Sequence, residues 1–340
     1  MKILHVTEAF GGGVTSAINT YVDHSLQFEH YLFACIREED KTGEEAKGLF
    51  KRTFLVDRNL TALLKLRVII KDIQPDVVHL HSTYAGFFVR LMPFIRSDKV
   101  VYTPHGYAFL RNQHPVLLKA FYMAEWILGR RAKIIAGCGR DEKNLSQAFT
   151  KTQNTFELIN ISGELPEVDV SKHDASMPVI SMVGRISAQK DFEFFAGVAK
   201  EFQQGVVFKW IGGGDEKGHQ LLRDAGVEVT GWISRQEVVG ELKSSSLYLH
   251  TAAWDGFPIS VLEAAKLDIP MILRNIGPFT AEDLNVVEDV SAAEQEIKAY
   301  LSGDQASLIR AKSNTESISR YHTSENLSNA LNELYLKFNK

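Results

Sequence analysis

Short runs rich in Val, Ile and Leu alternate with longer helix-like segments along almost the whole 340-residue chain. Strands are expected near 2–6, 30–36, 53–56, 76–80, 99–103, 133–136 and 156–159, with helices near 14–26, 60–73, 84–95, 115–130 and 140–149 between most of them. Few folds accommodate that rhythm. Strand, crossover helix and strand make a βαβ unit, and a series of such units builds a doubly wound parallel sheet. The strand residues are apolar with little alternation, as required when helices cover both faces.

The rhythm fails from Ser162 to Met177. Gly163, Pro166, Asp169, Ser171, Lys172 and Asp174 make a polar, turn-prone stretch there with no helical period. It restarts with strands near 178–183, 206–211, 227–230, 246–250 and 269–273 and helices near 190–203, 215–224, 235–243 and 258–267. After Ile276 only helices are expected, near 291–302, 304–319 and 324–338. The division is therefore a first domain over 1–162, a linker over 163–177, a second domain over 178–319 and a terminal segment over 320–340. Two doubly wound domains facing a central cleft would put ligand sites at the carboxyl ends of both sheets.

Composition excludes some functions. A net charge of −4 gives no basic field for nucleic acid. Cys35 and Cys138 lie far apart without metal spacing, so a reducing cytoplasm is the simpler compartment. Met1–Val6 is a strand too short to be a signal peptide. No stretch reaches the roughly 18 uninterrupted apolar residues of a spanning helix, which leaves only peripheral membrane contact, on the inner face.

The stretch richest in chemistry is Trp254–Glu263. An apolar strand feeds into it, and a helix opened by Pro258 leaves it. The unpaired N–H groups and partial positive charge of a helix N-terminus suit phosphate. Asp255 and Glu263 bracket that turn, and carboxylates there fit hydroxyls better than phosphate. Gly184-Arg185 follows the first strand of the second half, with Lys190 at the start of the next helix. Arg supplies a planar fork and Lys a point charge, both suited to a diphosphate. Gly212-Gly213-Gly214-Asp215 is a glycine turn with a helix cap. Trp232 is either a nucleobase wall or a core residue.

In the first half, Gly11-Gly12-Gly13 lies between strand and helix, where backbone can approach a ligand. With Ser16 and Glu38 it also forms a partial dinucleotide fingerprint. His79 and His81 share one face of a strand that ends at Ser82. A metal site would need two more ligands, and no carboxylate or cysteine is near in sequence. Thr103-Pro104-His105-Gly106 ends the fifth strand and puts His105 at the ligand edge. Arg111–Lys133 mixes basic and aromatic residues and is either a membrane-lying helix or a packed helix with basic flanks.

Together these stretches resemble the GT-B glycosyltransferases of family GT4. The family's E-x7-E signature corresponds to Asp255-x7-Glu263, and its G-R-x4-K signature to Gly184-Arg185-x4-Lys190. The glycine loop and the histidine of Thr-Pro-His-Gly also match. The resemblance implies a retaining transferase that moves a sugar from a nucleotide sugar, UDP-linked before GDP-linked, to a glycan or lipid-linked acceptor in surface polysaccharide synthesis. It implies that Arg185, Lys190 and the N–H groups around Gly256, Phe257 and Pro258 hold the diphosphate. Glu263 would take the ribose, Asp255 the transferred sugar, and His105 that sugar or the reacting centre. Gly12 and Gly13 would approach phosphate or acceptor, with His81 and Ser82 on the acceptor side. No metal or other cofactor is implied. Helix 324–338, with Leu327, Leu331, Leu334 and Tyr335 on one face, is expected to return to the first domain. Asp255 departs from the family's usual Glu. A nucleotide-sugar epimerase and a nicotinamide-dependent enzyme stay open as alternatives.

Overall fold

The computed structural model describes residues 1–8, 10–36, 48–59, 61–168, 177–202 and 204–339. Glu38 of the partial dinucleotide fingerprint lies outside them, as do residues 169–176 of the expected linker. The chain forms two compact units, one from Met1–Ile161 with Thr323–Lys340, the other from Ser162–His322. Residues 163–168 therefore belong to the second unit, where the Val168 carbonyl accepts from Lys243 Nζ at 3.2 Å.

Unit 1 has seven strands: β1 (Lys2–Thr7), β2 (Glu29–Ile36), β3 (Arg52–Asp57), β4 (Val77–His81), β5 (Val100–Thr103), β6 (Ile134–Gly137) and β7 (Thr155–Glu157). Between them run α1 (Gly12–Asp23), α2 (Thr61–Ile73), α3 (Thr83–Leu91), α4 (Pro115–Leu128) and α5 (Arg140–Ser146). The strands lie in the order β3-β2-β1-β4-β5-β6-β7, all parallel. The order reverses direction between β1 and β4, so the loops leaving those two strands diverge and leave a crevice at their carboxyl ends.

The two faces of this sheet differ. On one, Leu4, Val6, Tyr31, Phe33, Val78, Leu80, Val100 and Tyr102 build an apolar core. On the other, Ile3, His5 and Thr7 alternate out of β1. His79 and His81 follow the same side of β4, in register with His5 and Thr7. All three histidines are fully buried.

Unit 2 repeats the plan with β8 (Val179–Val183), β9 (Val207–Ile211), β10 (Glu228–Val229), β11 (Leu247–His250), β12 (Met271–Arg274) and β13 (Val286–Val287). Its helices are α6 (Phe192–Lys200), α7 (Glu216–Asp224), α8 (Arg235–Lys243), α9 (Ile259–Lys266), the single turn α10 (Gly277–Thr280), α11 (Val290–Leu301) and α12 (Gln305–Tyr321). The parallel order is β10-β9-β8-β11-β12-β13, with the reversal between β8 and β11. β13 corrects the expectation of helices only after Ile276. It is two half-buried valines on the sheet edge, too short to show as a period. One apolar cluster, including Ile180, Met182, Trp210, Tyr248, Val261 and Phe279, fills this unit.

The last helix, α13 (Ser324–Leu336), is part of unit 1. Leu327, Leu331, Leu334 and Tyr335 are its buried side. The Tyr335 ring meets Phe28 edge-on at 5.5 Å and its hydroxyl lies 2.9 Å from His79 Nδ1.

Candidate functional site

The predicted residues fall into two groups, one at the switch point of each sheet. In unit 2, β8 runs out into Gly184 and Arg185, and β11 into Thr251–Pro258. The backbone of Ala253 donates to the Gln189 carbonyl at 2.9 Å, joining the two loops. Close packing explains the glycines. A Cβ on Gly184 would lie 3.2 Å from the Lys190 side chain, and one on Gly212, whose φ is 138°, would run into the Gly184 carbonyl. That carbonyl accepts from the indole N–H of buried Trp210 at 2.9 Å.

Lys190 stands two residues ahead of α6, not inside it, because Asp191 in a left-handed conformation (φ 50°) is the helix cap. The Lys190 ammonium pairs with Asp255 at 2.5 Å, with side chains 17% and 15% exposed. Gln189 Nε2 donates to the other Asp255 oxygen at 3.3 Å. The two residues that the sequence assigned to diphosphate and sugar are thus brought together as an ion pair. Arg185, following Gly184 at the end of β8, is exposed.

Pro258 is the N-cap of α9 with extended backbone (φ −72°, ψ 129°), and the helix starts at Ile259. This corrects the expected first helical position by one residue. No side chain caps that N-terminus, so its orphan N–H groups remain available to an anion. Gly256 and Phe257 are buried, and the Phe257 ring packs on Phe279 and His322 at 5.9 and 4.0 Å. Phe257 is therefore a wedge that sets the turn, with its ring turned into the core. Glu263 is 4% exposed and accepts from Arg235 Nη2 at 2.5 Å.

Three features here were missed from the sequence. Arg235 opens α8 behind a Ser234–Glu237 capping box that was legible as Ser-x-x-Glu. Its reach to Glu263, 28 residues on, was not legible. Arg274 ends β12 and donates to Asp191 at 2.5 Å and to the Thr251 carbonyl at 2.9 Å. His250, fully buried at the end of β11, has both ring nitrogens without a partner among the described residues and lies 4.0 Å from Asp255. Burial, then the cations Lys190 and Arg274, hold its pKa well below the ordinary histidine value. Trp232 is 70% exposed, so it is not a core residue, and its ring lies across Gly213, where a Cβ would meet it at 2.8 Å.

In unit 1, Gly11 caps α1 in extended conformation and Gly12 takes a left-handed φ of 58°, a conformation that favours glycine. Gly13 lies in the first helical turn. His81 ends β4. Ser82 (φ 71°), one residue after β4, and His105 (φ 52°), two residues after the neighbouring strand β5, each adopt left-handed backbone. Non-glycine residues in that region carry strain that the surrounding structure must hold. Glu142 supplies part of the hold, accepting from the Gly106 backbone and from the Cys138 N–H at 2.9 Å. Its carboxyl pKa is raised by burial.

The histidines are joined. His5 Nδ1 lies 3.0 Å from His81 Nε2, His5 Nε2 lies 3.0 Å from His30 Nδ1, and His81 Nδ1 lies 3.0 Å from His105 Nε2. His79 sits between Thr103 Oγ1 and Tyr335, both at 2.9 Å. His5, His79 and His81 bring ring nitrogens within 4.8 Å of one another. Sequence separation hid His5 as a third potential ligand. Every ring nitrogen of the three already has a hydrogen-bond partner, which fits a polar core better than a metal centre. Burial comes first in holding the pKa values of His5, His79 and His81 well below the usual range, and repulsion from neighbouring histidines, His30 and His105 among them, adds to it. Burial alone lowers His105 to about 4.

The models of two families match this chain. Glycosyl transferases group 1 covers residues 177–303, and Glycosyltransferase Family 4 covers residues 24–152. The chain belongs to the GT4 glycosyltransferases. A protein of Klebsiella pneumoniae, described as an uncharacterized 41.2 kDa protein in cps region, is 27% identical over 82% of each chain. A UDP-Gal:alpha-D-GlcNAc-diphosphoundecaprenol alpha-1,3-galactosyltransferase of Escherichia coli is 22% identical over 66% of this chain and 64% of its own. Anabaena HepE, solved in complex with UDP and glucose, superposes with a TM-score of 0.78 at 14% identity over 98% and 99% of the two chains. That likeness establishes the GT-B fold of this glycosyltransferase. Its signature residues are those at the unit 2 switch point, and the expected glycine and histidine positions lie at that of unit 1.

Proposed function

We propose that this glycosyltransferase moves a sugar from a UDP-linked donor to a glycan or lipid-linked acceptor in surface polysaccharide assembly, with retention of anomeric configuration. One observation carries the reading. Arg185, the Lys190–Asp255 pair and the uncapped start of α9 converge at one switch point, with Glu263 buried a turn farther along α9. Two cations and a helix N-terminus that no side chain caps are what a departing diphosphate needs. The UDP and glucose in HepE and the diphosphoundecaprenol acceptor named for the E. coli relative support the choice of donor and acceptor class.

In this reading Lys190 turns part of its charge from Asp255 to the diphosphate, which releases Asp255 oxygens for hydroxyls of the transferred sugar. Glu263, fixed by Arg235, takes the ribose hydroxyls. The bond from the sugar's anomeric carbon to the phosphate oxygen breaks as the bond to the acceptor oxygen forms on the same face. The acceptor's proton passes to the leaving phosphate. Arg185 and Lys190 supply the charge that a cation supplies elsewhere, so turnover is expected to persist in EDTA.

No helix among the described residues is long and apolar enough to cross a membrane. In α4, however, only Glu125 and Leu128 are buried, while Val116, Leu117, Tyr122, Met123, Trp126 and Ile127 are 41–67% exposed. A polar anchor holds the helix. Buried Arg90 donates to Glu125 at 2.7 Å and stacks 3.9 Å from the Tyr102 ring, and Tyr102 donates to Glu125 at 2.8 Å. This face supports peripheral docking of a lipid-linked acceptor's membrane.

The deciding experiment follows release of nucleotide from a panel of nucleotide sugars, with and without a diphospholipid-linked glycan. Acceptor-dependent turnover of a UDP-sugar is expected. An isomerised sugar nucleotide formed from donor alone would make the protein an epimerase, and binding of a nicotinamide dinucleotide with no nucleotide sugar would reverse the assignment. Flotation with anionic vesicles should be lost in Trp126→Glu while turnover of a soluble acceptor persists.

A further inference from the structure

The joined histidines form a line with a direction. At one end His30 Nε2 lies 2.9 Å from the Ser25 carbonyl and 3.2 Å from the Ser25 hydroxyl. That hydroxyl gives its hydrogen to the Tyr21 carbonyl at 2.6 Å. Both Ser25 atoms can therefore only accept, and His30 Nε2 must carry the hydrogen. A neutral imidazole has one N–H and one lone pair, so His30 Nδ1 is bare and His5 Nε2 must donate to it. His5 Nδ1 is then bare and takes the hydrogen of His81 Nε2. His81 Nδ1 is bare in turn and takes that of His105 Nε2.

Four contacts need four hydrogens, and four neutral rings supply one each. The reverse order would set a lone pair of His30 against the Ser25 carbonyl, leaving two buried acceptors face to face. A charged ring is disfavoured by burial, and the rings stack on Tyr21 and one another and meet Phe50 edge-on, with no carboxylate bonded to them among the described residues. The last atom of the line, His105 Nδ1, has no partner among the described residues, and His105 is only partly buried.

We infer that His5, His30 and His81 are positioning residues that hold His105 as its Nε2–H tautomer, so that His105 Nδ1 presents a lone pair and acts as an obligate hydrogen-bond acceptor. Toward a ligand this ring takes a hydrogen from a hydroxyl, as on a sugar, and cannot give one to a phosphate oxygen. A fourfold shift of hydrogens along the line is blocked at the Ser25 end. The consequence for substrate rests on the proposed transferase reading, while the tautomer itself does not.

The test is a long-range nitrogen–proton correlation spectrum of the full chain labelled in its histidine rings, recorded without substrate at neutral pH. Single His→Gln variants assign the rings. All four are expected as neutral Nε2–H tautomers. A hydrogen on His105 Nδ1, or a charged His105, overturns the inference. His5→Leu interrupts the line and should leave His105 distributed between tautomers, with donor kcat/KM about 2- to 5-fold lower as the competent fraction falls. His5→Gln keeps one donor and one acceptor and should restore the single tautomer and the rate. If His105 stays a single Nε2–H tautomer in His5→Leu, the line does not hold it and the inference fails. If the wild-type spectrum is as expected but no nucleotide sugar turns over, the functional reading fails and the tautomer assignment stands.

Discussion

Both units bring loops to a switch point of a parallel sheet, and they furnish it differently. Unit 1 lines the approach with neutral rings: His5, His81 and His105 in series under Tyr21, with strained turns at Ser82 and His105. Unit 2 uses ions in pairs: Lys190 with Asp255, Arg235 with Glu263, Arg274 with Asp191. A shared architecture thus carries two kinds of recognition. Neutral acceptors discriminate hydroxyl geometry without bringing a net charge to the site. Paired ions hold charge in readiness without leaving it bare, and each can trade its partner for a ligand group of the same sign. The sheets differ accordingly, since one face of the unit 1 sheet shares its burial between the histidines and a small apolar cluster around Ile18, Val22, Leu32 and Phe50, while among the described residues of unit 2 one large apolar cluster is formed.

The largest expected effect concerns the exception, the buried ion pair of unit 1 that lies away from its switch point. Arg90→Ala strands Glu125 in the core and should cost about 3–5 kcal/mol of stability, read as a lost or strongly lowered thermal transition. Arg90→Met paired with Glu125→Leu should recover much of it. An unchanged thermal transition in Arg90→Ala would show that α4 is held by other means.

Acid comes next and should separate the units. Unfolded histidines titrate near their ordinary value, whereas those of unit 1 stay neutral further down, His105 to about 4 and His5, His30, His79 and His81 also lowered. The unfolded state then binds more protons below about pH 6.5, so this stability is complete above that pH and drains as pH falls toward 4. His105 alone accounts for up to about 3 kcal/mol. Unit 2 holds one such ring among the described residues, His250, against these five, so hydrogen exchange at pH 5 should show unit 1 opening before unit 2. Equal protection would break the comparison.

Lys190→Ala removes a charge-assisted contact worth about 1.5–3 kcal/mol in the transition state. It should lower kcat/KM tenfold to somewhat over a hundredfold, while the fold stays intact by circular dichroism. Smallest is Trp232→Ala. An exposed ring should change stability by no more than about 0.5 kcal/mol, yet raise the donor KM about fivefold if the indole covers the base. An unchanged KM would remove Trp232 from the site.

The βαβ rhythm was legible because buried parallel strands must read as continuous apolar runs, and the signature residues because they stand directly after such runs. The histidine line was only half legible. Alternation put His79 and His81 on one face, but the register that sets His5 beside His79 is a property of strand pairing. His30 and Tyr335 reach the same cluster from 25 and 256 residues away along the chain. Trp232 was ambiguous because an exposed tryptophan and a buried one share the same flanks. The edge strand β13 and the placement of Pro258 differ from expectation by the few residues over which local signals blur.

The return of α13 to unit 1 bears on how the molecule is made. Unit 2 lies within the contiguous span Ser162–His322 and can fold as soon as that span has left the ribosome. Unit 1 begins the chain, yet the hydroxyl that meets His79 belongs to Tyr335. The first unit to be synthesised is therefore the last to be completed. While unit 2 is being synthesised, the histidine-bearing face of unit 1 waits for a helix that has not yet been made.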